Sequence, residues 1–70
     1  MSLISAELGR EYIIKNINTA DEDMDSFLFS IGCFKGEPIT AISRMRGSVT
    51  VAIKGSRYNI DHRLADAILI

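Results

Sequence analysis

The stretch Val49-Thr50-Val51-Ala52-Ile53-Lys54 alternates branched apolar residues with small or polar ones without a break. Successive side chains of a β-strand point to opposite faces, so a period of two describes a strand with one face in a core. The glycine-bearing links on either side, Arg46-Gly47 and Gly55-Ser56, have the length of tight hairpin turns. Pro38 to Met45 and Arg57 to Ile60 then read as the neighbouring strands, and the three make an antiparallel meander. Upstream, Glu11 to Ile17 is rich in strand-favouring residues, but Ile13 and Ile14 are adjacent and Ile17 comes three later, as in a bulged or strongly coiled strand. Downstream, Asp61 is placed to cap a helical turn through Arg63, Leu64 and Ala65, and Ala67 to Ile70 reads as a fifth strand. Bare strand edges invite further pairing, so five short strands predict closure into a small barrel.

Between the first strand and the meander the period changes. Met24, Phe27, Leu28 and Ile31 fall at i, i+3, i+4 and i+7, which places them on one stripe of a helix from about Asp21 to Ile31. Thr19 and Glu22 have the spacing of a capping box, and Asp21, Glu22, Asp23 and Asp25 put negative charge at the positive end of the helix dipole. Gly32 supplies the stop. A short turn is expected before the first strand, where Ser5-Ala6-Glu7-Leu8 ends at Gly9. The class is mainly β, with one inserted α-helix.

Seventy residues make a single domain without repeats or linkers, and a chain this short buries only about 60% of the surface its unfolded form exposes. Disulfides or metal often staple such domains, yet Cys33 and His62 are the only residues of their types. Stability must come from the apolar residues, 47% of the chain. An unpaired thiol suits a reducing compartment, the N-terminus lacks the pattern of a signal peptide, and no apolar run approaches the ~18 residues of a membrane span. A cytoplasmic protein is expected, reaching a membrane only through a partner.

Three segments resemble the FeoA family. Leu8-Gly9 with Ile13-Ile14 and Ile17 is similar to the family's opening and first strand; Leu28-Phe29-Ser30-Ile31-Gly32-Cys33-Phe34-Lys35-Gly36 is similar to its glycine-punctuated helix exit. Lys54-Gly55-Ser56-Arg57-Tyr58-Asn59-Ile60 running into Ala65-Asp66-Ala67-Ile68-Leu69-Ile70 is similar to its closing segment. The chain departs from the family pattern at Phe27, Cys33 and Lys35, where the family often carries Arg, Leu and Pro. The resemblance implies a small SH3-like five-stranded β-barrel with an inserted helix. It implies an accessory, regulatory role in ferrous-iron transport through the GTPase-bearing membrane transporter FeoB, and an association with transition-metal ion binding. The same architecture forms a C-terminal domain of metal-dependent repressors; such a protein would carry an N-terminal DNA-reading domain, and none is expected here.

No catalytic constellation stands out. Cys33 and His62 form a thiol–imidazole pair only on paper, because nothing local orients either one, and no phosphate-binding glycine loop is present. The Asp21–Asp25 acids lack the glycine and closing glutamate of a calcium loop, and one Cys with one His falls short of a metal site. The reading is therefore a binding module, not an enzyme, with no cofactor and no resident metal. Phe29 lies off the helix stripe and Phe34 sits in the exit loop beside Cys33, so these three form a candidate partner patch. The rival reading puts every aromatic in the core. Arg44, Arg46, Lys54 and Arg57 lie in a stretch without acids between positions 38 and 60. Together they are a candidate basic face for an acidic partner; singly, each reads as solvated rim. The net charge of −1 argues against nucleic acid. The alternatives to the transporter reading are a free-standing SH3-like barrel that binds another protein or RNA, and weak self-association through strand edges.

Overall fold

The computed structural model describes every residue from Met1 to Ile70. A 3-10 turn at Leu3–Ser5 leads to strands β1 (Glu11–Ile13) and β2 (Asn16–Ile17) and then to helix α1 (Glu22–Ser30). Strands β3 (Pro38–Met45), β4 (Ser48–Ile53) and β5 (Ser56–Asp61) follow, and helix α2 (His62–Ala67) and strand β6 (Ile68–Leu69) end the chain. The alternating segment is β4, with Val49, Val51 and Ile53 buried on its inner face. It pairs antiparallel with β3 through Ala41↔Val51 and with β5 through Val51↔Tyr58, which gives the expected meander. The bulge occurs in β3, where the register shifts between Ala41 and Ser43.

The strands do not close into a barrel. They form a four-stranded sheet, β1-β3-β4-β5, and a separate pair, β2-β6. The single first strand expected over Glu11–Ile17 divides because its partner changes midway: the Ile14 N–H donates to Glu37 O at 2.9 Å, whereas the Lys15 N–H donates to Leu69 O at 2.7 Å. This change of partner explains the adjacent isoleucines. Ile13 faces outward from the first sheet, 55% exposed, and Ile14 turns into the core, 1% exposed.

No strand pairs with the far edge of β5. The first turn of α1 lies by Asp61, the last residue of β5, and by Arg63 and Leu64 of α2. Its exit at Gly32 lies against Ile53 and Lys54, just before β5 begins.

Both helices start on aspartates. Asp21 Oδ1 accepts the Asp23 and Met24 N–H groups at 2.9 and 3.2 Å, so Asp21, rather than Thr19, is the N-cap of α1. Thr19 Oγ1 accepts from the Asp21 N–H one step outside the helix, and the expected capping box does not form. Asp61 Oδ1 caps α2 through the Leu64 N–H at 2.9 Å. The β4–β5 turn is Lys54-Gly55, one residue earlier than expected, because Ile53 pairs with Ser56. Lys54 at φ +50 and Gly55 at φ +80 give the doubly left-handed turn that matches the strand twist.

The core is aliphatic. Leu3, Ile14, Leu28, Ile39, Val51 and Ile68 are among its members, Cys33 joins them, and no aromatic side chain is fully buried. No helix is long and apolar enough to cross a membrane.

Candidate functional site

Of four apolar residues on the expected stripe of α1, only Leu28 is buried. Met24 and Ile31 are half-buried, and Phe27, expected in the core, is 43% exposed. Phe29 is 66% exposed. The chain then reverses in a pair of bonds characteristic of glycine-terminated helices: the Gly32 N–H donates to Phe29 O at 3.0 Å and the Cys33 N–H to Leu28 O at 2.8 Å, with Gly32 at φ +88. That reversal turns Cys33 inward and brings Phe34 back onto Phe29, with ring centroids 5.0 Å apart.

Lys54 completes the patch. Its stem passes over Gly32, where a Cβ would meet Lys54 Cδ and Cε at 2.9 Å. Its ammonium sits 5.2 Å from the Phe34 ring centroid and 3.5 Å from Glu37 Oε1. The aromatic pair is thus braced from behind by the β4–β5 turn and held in one arrangement while its outer face stays open.

The other candidate residues lie elsewhere. Cys33 is 1% exposed, and burial pushes its thiol up to about 12, so it supports the patch from inside instead of touching a partner. Arg44 donates from Nη2 to the Ala6 carbonyl and ties the N-terminal segment to β3. Arg46 lies in the β3–β4 turn and Lys54 in the β4–β5 turn, at opposite ends of β4. Six residues of strand span roughly 20 Å, about twice the screening length in physiological salt. Arg44 and Arg46 therefore lie at one end of β4 and Lys54 and Arg57 at the other, and the four do not form the expected continuous basic face. His62 begins α2 beyond the end of β5, and Cys33 sits near its start, so the thiol and imidazole are not brought together. No three His, Cys, Asp or Glu side chains converge to hold a metal ion.

Sequence reasoning missed the exposure of Phe27 and the part played by Lys54. The first was hidden because periodicity marks a stripe without giving its depth. The second depends on two turns distant in sequence.

Known proteins share this fold. A family model described as the FeoA domain matches residues 1–70. Among solved structures, a manganese-dependent transcriptional repressor superposes with a TM-score of 0.88 at 24% identity over 97% of this chain; the chain spans 39% of that protein's length. A crystal structure of an iron uptake regulatory protein, FeoA, gives 0.85 at 22% identity, covering 97% of this chain and 91% of that one. FeoA of Stenotrophomonas maltophilia in complex with zinc, described as an SH3 domain protein, gives 0.85 at 16% identity, covering 99% and 87%. No curated protein sequence matches significantly. The fold is accordingly SH3-like, built on an open sheet, and with the family model spanning its full length this chain belongs to the FeoA family.

Proposed function

We propose that residues 1–70 act as one FeoA domain that binds the cytoplasmic, GTPase-bearing part of the membrane transporter FeoB and regulates it, without catalysing a reaction of its own. Family membership supports the coarser role, a small accessory protein of ferrous-iron transport. The observation that carries the finer reading is the braced aromatic pair, in which Phe29 is exposed and Phe34 half-buried. Phe29 and Phe34 are already stacked, so a partner would order few rotamers on binding, and pre-organised aromatic anchors are typical of the residues that dominate interface energies. Lys54 at the edge of the pair would favour a carboxylate on the partner. Arg46 and Arg57 stand apart from the pair and would contribute only long-range attraction.

Calorimetric titration with the soluble cytoplasmic part of the transporter tests this. Binding at tens of micromolar or tighter is expected, with Phe29→Ala weakening it at least about tenfold. No binding by the wild type, or undiminished binding by Phe29→Ala, overturns the reading.

A further inference from the structure

Leu28 is the buried residue of α1, and Phe27 and Phe29 project to either side of it, about 200° apart around the helix axis. Phe29 serves the patch described above. Phe27 faces the other way, into a groove of about 220 Å³ between the first turns of α1 and α2. Met24, Phe27 and Leu64 are its apolar lining; Asp21, Asp23, Asp61 and Arg63 are its polar lining. Met24 Sδ lies 3.9 Å from both the Thr19 hydroxyl and an Arg63 guanidinium nitrogen.

We propose that this groove binds a peptide segment of a partner protein that presents a large apolar side chain next to a lysine or arginine. The site is separate from the Phe29–Phe34 patch and does not depend on the transporter being the partner. Its volume is below the roughly 300 Å³ at which pockets for drug-sized ligands begin, and suits one large side chain. The apolar lining is adaptable, because a methionine beside a phenylalanine adjusts to differently shaped guests.

Charge decides what must accompany that side chain. Helix N-termini ordinarily attract anions, but here the capping carboxylates already accept the first-turn N–H groups. Each cap uses Oδ1, leaving Oδ2 without a protein hydrogen bond and oriented by the cap. The two ion pairs of the molecule, Arg10–Glu7 and Lys54–Glu37, involve none of these groups. Three carboxylates face one guanidinium, and a cation from outside gains charge-assisted hydrogen bonds that an anion would forfeit. The carboxylates do not converge on a metal position, so an organic cation on a flexible stem fits them better than a bare ion.

Amide chemical shifts of the full chain, titrated with four terminally blocked dipeptides, test the proposal: Leu-Arg, Leu-Glu, Leu-Gln and Gly-Arg. Leu-Arg is expected to give saturable shifts at Asp23, Met24, Arg63 and Leu64, with each of the other three markedly weaker. Asp23→Asn, which leaves both caps intact, should weaken Leu-Arg roughly two- to fivefold at low salt. Comparable binding of Leu-Gln or Leu-Glu overturns the proposal by removing the cation. Comparable binding of Gly-Arg removes the apolar anchor, and unchanged affinity in Asp23→Asn removes the carboxylate. Shifts mapping elsewhere, or none at roughly 10 mM peptide, overturn it as well.

Discussion

Replacing Gly32 by alanine strains the exit of α1 in two separable ways. Gly32 sits at φ +88, where an L side chain costs about 1–2 kcal/mol. The added Cβ also falls 2.9 Å from Lys54 Cδ and Cε, so the lysine stem must leave. With it go the half-exposed ion pair to Glu37, about 0.2–1 kcal/mol, and the cation–π contact with Phe34, about 0.5–1 kcal/mol. The expected loss is about 2–4 kcal/mol, a large share of the roughly 3.5–10 kcal/mol available to a chain of this length. With a urea m-value near 1 kcal/mol/M, the midpoint should fall by about 2 M or more. Lys54→Ala removes the two contacts alone, since alanine and lysine meet similar strain at φ +50. In Gly32→Ala/Lys54→Ala those contacts are lost only once, so the double variant should be more stable than the summed singles imply by about 0.7–2 kcal/mol. Additivity within about 0.5 kcal/mol would show that Lys54 does not lie over Gly32, and the account of the braced patch would fail with it.

Leu28→Ala removes the one buried side chain of α1 and should cost about 2–5 kcal/mol by urea denaturation. A loss below about 1 kcal/mol would mean that α1 is not anchored there. Asp61→Ala leaves the Leu64 N–H uncapped and should cost about 1 kcal/mol, with asparagine recovering most of it. Cys33 is pushed up from 9.0 to about 12 by burial in the folded chain, so unfolding releases its proton at alkaline pH. Its contribution is full below pH 9.0 and is lost as pH rises toward 12, with a slope that approaches about 1.4 kcal/mol per pH unit between the two values. The stability of wild type relative to Cys33→Ala should therefore fall by about 1.6 kcal/mol between about pH 9 and 10.5. A pH-independent difference would refute burial of the thiol.

Features of the fold set by local chemistry were readable in the chain. The Val49–Ile53 alternation gave a strand with its burial pattern, Gly32 gave the helix stop, and Asp61 gave a cap, because each depends on residues within a few positions. Features that depend on distant partners were not readable. Ile13 and Ile14 mark an irregularity, but only Glu37 on one side and Leu69 on the other show that it is a change of sheet. Four basic residues close in sequence suggested a face, yet a hairpin carries Arg46 and Lys54 to opposite ends of one strand. Phe29 off the helix stripe and Phe34 in the exit loop could be read from the chain either as a candidate patch or as core. What keeps them outside is the aliphatic filling of the interior, a property of the whole core.

The exposed aromatics on the two sides of α1 have one cause. The helix meets the body over a narrow strip, since Leu28 is its one buried side chain. Leu28 fills the strip, and its neighbours on both sides, Phe27 and Phe29, overhang it. The helix thus carries two apolar flanks: Phe29 stacked on Phe34 beside the Lys54 brace, and Phe27 on the groove that the two capping aspartates help to line. Loosening α1 should therefore degrade both flanks together, whereas Phe29→Ala and Asp23→Asn should each impair one and spare the other. A variant pair that failed to separate in this way would mean that the two flanks are not independent surfaces.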